Sequence, residues 1–157
     1  MKETWLKTEI GPIHIAEENG KLVACNFCQT VGEKQESSPL LEEAKKQIQE
    51  YFAGKREQFS LPIQTKGTAF QESVWQELQK IPYGTSISYS ELAKRIGNPK
   101  AARAVGMANH NNPIGIIIPC HRVIGKNGKL VGYAGGKDKK EYLLEFEKRV
   151  AKKKKVR

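Results

Sequence analysis

Ser88-Tyr89-Ser90-Glu91-Leu92-Ala93-Lys94-Arg95-Ile96-Gly97-Asn98-Pro99-Lys100-Ala101-Ala102-Arg103-Ala104-Val105-Gly106-Met107-Ala108 decides how the second half of the chain folds. Ser88 and Glu91, three apart, match a capping box at the head of a helix from Tyr89 to Ile96. Gly97 ends that helix, and Asn98-Pro99 opens another as N-cap and first-turn proline. Two short helices joined through Gly-Asn-Pro make a helix-turn-helix. The second helix, Pro99 to about Asn111, is thin, because Ala101, Ala102, Ala104, Gly106 and Ala108 keep its girth small. Arg103 projects from it, with Met107 and His110 on the same face at i+4 and i+7. Small helical residues can serve close packing. The other reading is a helix slim enough to lie in a nucleic-acid groove with one cation extended.

Immediately downstream, Ile116-Ile117-Ile118 reads as a short buried strand that delivers the chain into Pro119-Cys120-His121-Arg122-Val123. Pro119 ends regular pairing, so Cys120 is expected at the end of a rigid element beside an imidazole. A buried structural cysteine is the competing reading. Further on, Asn127-Gly128 between apolar pairs predicts a hairpin with Lys126 and Lys129 at its tip. A helix-turn-helix followed by a basic hairpin is the pattern of a winged helix. Gly132-Tyr133-Ala134-Gly135-Gly136 reads as a pocket wall that approaches a ligand closely. A last helix is predicted from about Lys137 to Val150, with Tyr142, Leu143 and Phe146 turned inward, and a basic tail over 151–157.

Charge separates the two halves of this 157-residue chain. The net charge of +10 is −1 from Met1 to Lys66 and +11 from Gly67 to Arg157. Without Lys152 to Lys155 and Arg157, which suit a solvated tail, the second half still stands at +6. A polyanionic partner follows, nucleic acid first. No apolar run is long enough to cross a bilayer, and Lys2, Glu3, Lys7 and Glu9 interrupt any signal-peptide pattern. Three cysteines imply no complete disulfide framework, so a reducing, cytoplasmic setting is expected.

In the first half, Trp5 to Ile10, Ile13 to Ala16 and Leu22 to Phe27 predict an antiparallel meander, with turns at Gly11-Pro12 and Asn19-Gly20. Ser38-Pro39 opens a helix carrying Leu40, Ala44, Ile48 and Phe52, and Gly54 closes it. Phe59 to Ile63 can add a strand, and 64–68 reads as a linker. Cys25-Asn26-Phe27-Cys28 has the spacing of half a zinc site, but no second pair follows, and two cysteines packed in a strand is the better reading. Phe70, Val74, Leu78 and Ile81 form a core stripe with Trp75 beside it.

Pro119-Cys120-His121-Arg122-Val123, preceded by Asn98-Pro99-Lys100-Ala101-Ala102-Arg103-Ala104-Val105-Gly106, resembles the O6-alkylguanine-DNA alkyltransferase family over roughly Gly67 to Val150. The resemblance implies a ribonuclease-H-like α/β domain over 1–66 and a mostly α, winged-helix-like, DNA-binding and alkyl-acceptor domain over 67–150. It implies Cys120 as alkyl acceptor, His121 as the base that takes the thiol proton through a water, and Glu147 as its carboxylate partner. Tyr89 matches the tyrosine that hydrogen-bonds the base and helps protonate the leaving guanine. Asn112, ahead of Pro113, matches the asparagine that ties the helix-turn-helix to the active-site strand. Arg103 matches the finger that replaces the flipped nucleotide, and Lys100, Ala102, Ala104, Met107 and Arg122 complete the implied DNA contacts. Tyr133, Ala134 and Gly135 match the loop over the base, with Ala134 where some relatives carry serine. No metal and no cofactor are implied, and the partner is double-stranded DNA containing O6-alkylguanine, bound by a monomer from the minor groove.

Two other classes fit parts of the pattern. A non-catalytic winged-helix regulator accounts for charge and helix-turn-helix but leaves Cys120-His121 without a purpose. A cysteine hydrolase uses the thiol and imidazole, yet no oxyanion-hole motif accompanies them.

Overall fold

The computed structural model describes residues 1–130, 133 and 135–155, the last by its backbone. They form two compact units, Met1–Thr65 with Pro113–Ile117, and Lys66–Asn112 with the chain from Ile118 onward.

The first unit is built on strands β1 (Lys2–Thr8), β2 (Gly11–Glu18) and β3 (Lys21–Phe27), paired antiparallel in the order β1-β2-β3. Period-two alternation turns Thr4 and Leu6, and Ile13 and Ile15, inward, and a register shift opposite Ala16 and Glu17 lets both Leu22 and Cys25 face the core. Asn19 and Gly20 both take positive φ, 53° and 78°, the turn that matches strand twist. Gly11-Pro12 does not separate strands. It begins β2, where a missing N–H is least disruptive, and the preceding turn is pinned by the Thr8 hydroxyl on the Gly11 carbonyl at 2.6 Å.

Helix α1 (Pro39–Phe52) packs on this sheet. The Ser38 hydroxyl accepts the Leu41 N–H at 3.0 Å, and Gly54 follows the helix at φ 75°. The buried stripe runs through Leu41, Ala44, Ile48, Tyr51 and Phe52, one residue later at its start than the spacing from Leu40 predicts. The free edge of β3 is covered by two short segments. Leu22 exchanges bonds with Pro62 and Gln64, so only Ile63 of the predicted strand over 59–63 pairs. Cys25 donates to the Pro113 carbonyl at 3.0 Å and accepts from Gly115 at 2.7 Å.

Residues 116–118 are not a strand. Ile116 has φ 69°, and Ile117 N–H turns back to the Gly115 carbonyl at 2.8 Å. Ile116 and Ile118 are nevertheless buried, since a continuous apolar run records burial, which a buried turn satisfies as well as a strand.

In the second unit, Thr68 caps α2 (Ala69–Leu78) in a full capping box with Gln71, and the Trp75 indole donates to the Ala108 carbonyl at 2.8 Å. That bond fixes α2 against α4 (Ala102–His110), which also packs on α3 (Tyr89–Arg95). Ser88 caps α3, but the Glu91 carboxylate pairs with Arg95 at 3.2 Å, so half the predicted capping box forms. Helix α4 starts three residues after Pro99, because Asn98 and Ala101 close a separate turn at 3.0 Å.

Two-residue strands β4 (Ile87–Ser88) and β5 (Val123–Ile124) pair in parallel, Ile87 with Val123 and Ser88 with Ile124. The turn at Asn127-Gly128 forms with both φ angles positive, closed by Gly125 N–H on the Lys129 carbonyl at 2.7 Å. Val131 and Gly132, its predicted return arm, lie outside the described residues, as does Ala134. Helix α5 (Lys137–Lys155) continues through the lysine run that reads as a tail. Its buried face is Lys140, Leu143, Leu144 and Glu147, while Tyr142 and Phe146 are half-buried and stack at 6.0 Å. Among the described residues no helix is long and apolar enough to cross a membrane.

Thr68→Ala removes one arm of a reciprocal cap and is expected to cost about 1 kcal/mol, read as a lower urea midpoint with unchanged slope.

Candidate active site

Cys120, His121 and Arg122 form one tight helical turn between Pro119 and β5, closed by Arg122 N–H on the Pro119 carbonyl at 3.1 Å. All three are buried, His121 completely. Helix α5 meets this turn with Glu147, 1% exposed. His121 Nε2 lies 2.7 Å from Glu147 Oε2. Arg122 grips the same carboxylate with two parallel bonds, Nε to Oε1 at 2.8 Å and Nη2 to Oε2 at 3.0 Å. Its third nitrogen donates to the Ile81 carbonyl at 2.7 Å, and its plane lies over Tyr83. Gly84 N–H adds a bond to Oε1 at 3.3 Å. Arg122, assigned to DNA by resemblance, is thus 6% exposed and committed inside the fold. A bidentate guanidinium-carboxylate pair is how a buried Glu is kept ionised beside an imidazole.

The electrostatics follow from this packing. Burial pushes the Glu147 carboxyl up, but His121 and Arg122 outweigh it and hold the group far below the ordinary carboxylate range. Burial pushes His121 down further than Glu147 raises it, with Arg122 and Lys140 adding to the fall. The imidazole is therefore neutral at pH 7. With Nε2–H committed to Glu147, Nδ1 is the bare nitrogen, and it has no hydrogen-bond partner among the described residues. It is ready to take a proton.

Tyr89 reaches the same region by a different route. The pairing of Ser88 with Ile124 places the first residue of α3 beside the strand that follows Cys120. Burial pushes Tyr89 up to about 12, the Asn109 amide drawing it back and Cys120 adding to the rise. Lys140, fully buried, donates to the Tyr89 hydroxyl at 3.2 Å. Burial lowers its ammonium to about 8, partly offset by Cys120. Burial likewise raises the Cys120 thiol, while Asn112 and Lys140 favour the thiolate. The Asn112 amide also donates to the Ile118 carbonyl at 2.8 Å, joining the end of the helix-turn-helix to the turn that carries Cys120.

Arg103, Ala104 and Met107 are exposed on α4, Met107 at 62%, and Lys100 is exposed before it. Ala102 is half-buried. With Tyr89, Gly106 and Lys126, Arg103 and Met107 line a groove of about 660 Å³. Tyr133 and Gly135 are half-buried, and the Tyr133 carbonyl accepts Gly136 N–H at 3.1 Å. Cys25 is buried in the first unit's core and Cys28 Sγ turns to the Pro12 and Thr30 carbonyls. Sequence reasoning passed over Lys140 and Asn109. Both sit on apolar helical stripes, Lys140 one turn before Leu143 and Leu144, Asn109 one turn after Val105, and a polar residue in such a stripe was the available signal.

Arg122→Met takes the guanidinium away from the buried carboxylate, and is expected to lower stability by about 3–5 kcal/mol. In the parent protein the depressed groups are His121 and Glu147. Their contribution is intact above their unfolded values, about 6.5 and 4.3, and is lost as pH falls toward the lower folded ones. Urea midpoints should therefore drop from about pH 6.5 downward, and less steeply in Arg122→Met. Substituting Lys140 has the opposite effect on stability from substituting Arg122. Its charged form is disfavoured in the fold, so Lys140→Met should melt higher than the parent at pH 7. That advantage shrinks between about pH 8 and 10.4, where the parent's lysine is neutral when folded.

Comparison with known proteins covers both units. Residues 1–65 match the 6-O-methylguanine DNA methyltransferase ribonuclease-like domain, and residues 69–149 match the DNA binding domain of the same family. A methylated-DNA–protein-cysteine methyltransferase of Methanosarcina acetivorans is 49% identical over 149 residues, covering 90% of this chain and 94% of that protein. The constitutive methylated-DNA–protein-cysteine methyltransferase of Bacillus subtilis is 48% identical over 155 residues, covering 92% and 94%. The crystal structure of Mycobacterium tuberculosis OGT in complex with DNA superposes with a TM-score of 0.88 at 41% identity, covering 96% of this chain and 94% of that one. A two-domain match along nearly the whole chain leaves one assignment: the chain belongs to the 6-O-methylguanine DNA methyltransferase family.

Proposed function

We propose that this protein repairs O6-alkylguanine, methyl first, in double-stranded DNA by moving the alkyl group onto Cys120, once per molecule. The observation that carries the reading is the buried His121–Glu147 pair, held by Arg122, next in sequence to a thiol in the unit that matches the family's DNA-binding domain.

In this reading the exposed face of α4 enters the minor groove, with Lys100, Ala102, Ala104 and Met107 against it. Small side chains let the helix approach closely. Arg103 occupies the stack where the damaged nucleotide was, offsetting part of the few kcal/mol that rotating a base out costs. The flipped base enters beside Tyr89, with Tyr133 and Gly135 over it. The turn at Asn127-Gly128 acts as the wing of a winged helix, its lysines near phosphate.

The chemistry is one displacement. His121 takes the thiol proton at Nδ1, directly or through one water, and the thiolate attacks the alkyl carbon. The carbon–sulfur bond forms as the carbon–O6 bond breaks, and the departing guanine receives a proton from the Tyr89 hydroxyl. Guanine leaves poorly as an anion, so that proton lowers the barrier. Neutral His121 suits the base role and high-pKa Tyr89 the acid role. The thioether is not cleaved by water, so the protein is consumed. Thiol and alkyl donor come from protein and DNA, the reaction needs no cofactor, and one monomer in the cytoplasm suffices.

Mixing the protein with duplex DNA containing O6-methylguanine should add one methyl group in the intact mass, located by peptide mapping on Cys120. A methyl on Cys25 or Cys28, or none at all, defeats the proposal. Cys120→Ala should end transfer yet bind the same duplex with affinity within about threefold of the parent, since phosphate and groove contacts carry binding.

A further inference from the structure

The last part of α5 has no role in the proposed reaction, yet it gathers much of the second unit's positive charge. Lys148, Arg149, Lys152, Lys153 and Lys154 fall within seven residues, all exposed, with no acidic residue among them. A solvated tail would fray, but this segment is held. Helix α5 is continuous to Lys155, and Ala151 lies so close to Gly84 that a Cβ on that glycine would come within 2.9 Å of the Ala151 methyl. Glu147 and Ala151, one turn apart, mark the packed side of the helix. Lys148, Arg149, Lys152 and Lys153 share the opposite side.

On that side Lys148 faces Lys152 and Arg149 faces Lys153, two like-charged pairs at i,i+4 spacing, which repel. Other helical cations sit beside an acid: Lys45 beside Glu42, Lys80 beside Glu77 and Arg95 beside Glu91. Among the described residues Lys148, Arg149, Lys152 and Lys153 have no such ion pair, and exposed Glu145, one turn earlier, pairs with neither Lys148 nor Arg149. The macrodipole favours cations in the last turn of a helix, but Lys148 and Arg149 lie two turns before Lys155.

What this face can bind follows from what it offers. The two nearby rings are taken, since Tyr142 stacks on Phe146 and Arg149 lies over Phe146, so no platform is offered to an unstacked base. A membrane-surface helix turns its apolar side outward, whereas Leu143 and Leu144 are buried in the fold. A row of duplex phosphates fits bare cations best. The groove beside α4 is too far away to supply them. Lys140 meets Tyr89 at that groove, and Lys148 to Lys153 follow eight to thirteen residues later, about 12–20 Å along the axis. A charge is screened beyond about 8 Å at physiological salt, so these cations need phosphates of their own.

We propose that the Lys148–Lys153 face of α5 is a second DNA seat, holding the phosphate backbone of a duplex segment other than the one in the α4 groove. Binding there reads no sequence and forms no covalent bond. Its consequence is kinetic: the protein passes between segments through a doubly bound state, without first coming free. The inference goes beyond the proposed alkyl transfer and needs only that the groove beside α4 binds DNA.

The test is a chase. The parent protein, bound to a fluorescein-labelled duplex without a lesion, is mixed with rising concentrations of the same duplex unlabelled, and the fall in anisotropy is timed. A doubly bound state makes the release rate climb severalfold with chase concentration. With Lys148, Arg149, Lys152 and Lys153 all replaced by Gln, which keeps helix propensity, the rate should stay flat. Methyl transfer to Cys120 from duplex DNA containing O6-methylguanine should stay within about twofold of the parent in that variant. Lys148→Arg, Lys152→Arg and Lys153→Arg together keep the charge, and the rate should climb as in the parent. A flat rate in the parent, or a climb in the Gln variant equal to the parent's, overturns the inference. A Gln variant that slows methyl transfer, or binds the lesion duplex with a lower salt slope, does the same, because its cations would then touch the duplex in the groove. The chase uses undamaged DNA and reads no methyl group. Failure of the parent to methylate Cys120 therefore overturns the proposed function and leaves the chase result standing.

Discussion

Everything at the centre of the second unit depends on one buried carboxylate. Glu147 receives His121, two nitrogens of Arg122 and Gly84 N–H, and through Arg122 it is coupled to the Ile81 carbonyl at the end of the α2 segment. A lone carboxylate at this depth would be protonated or would pull the fold open. Matched by a planar guanidinium, it stays charged, and its charge fixes the imidazole tautomer. The His121 ring cannot turn without breaking its bond to Glu147. Helix α5 cannot withdraw without breaking all of these contacts. Stability and chemistry share the same atoms here, which is why Arg122 is inside.

That double use explains what could be read in advance. The meander, the capped α1, the Trp75 stripe and the two helices around Gly97 were legible because each is governed by local chemistry: a turn with two positive φ angles, a hydroxyl on a free N–H, a period of 3.6 or 2. Cys120, His121 and Glu147 were legible through resemblance to a family, and the structure brings them together as geometry. Arg122 was misplaced for a physical reason. A cation next to a DNA-binding motif in a basic half looks like a phosphate ligand, and sequence cannot say that a carboxylate 25 residues away faces it. Ile116 to Ile118 failed differently. Hydrophobicity reports burial, while the turn there is set by Gly115 leaving the β3 edge after two hydrogen bonds.

Lys140 and Asn109 were the least legible, and together they show the limit of periodicity. Each occupies a core position of its helix, where pattern reading fills in an apolar side chain and moves on. A buried lysine is tolerable when its head meets polar groups, and the only way to know those groups exist is to see α3 and α5 side by side. The β4–β5 ladder, two residues per strand, joins the start of α3 to the chain that follows Cys120. Such a ladder is too short for any strand propensity to announce it.

In the proposed reaction the unit separates two proton tasks by environment. On one side of Cys120, burial with a strong anion and a guanidinium keeps His121 neutral and Nδ1 bare. On the other, burial keeps the proton on Tyr89, raised to about 12, while Lys140 stands at its oxygen. Neighbouring titratable groups pushed apart in this way divide into an acceptor and a donor. A reaction that happens once per molecule has no later turnover to correct a misplaced proton, so both transfers must be aligned before the alkyl carbon moves. Desolvation supplies the bias on each side, beside the hydrogen bond that His121 donates to Glu147 and the one that Lys140 donates to Tyr89. The same exclusion of water that makes this core expensive to fold is what distinguishes its base from its acid.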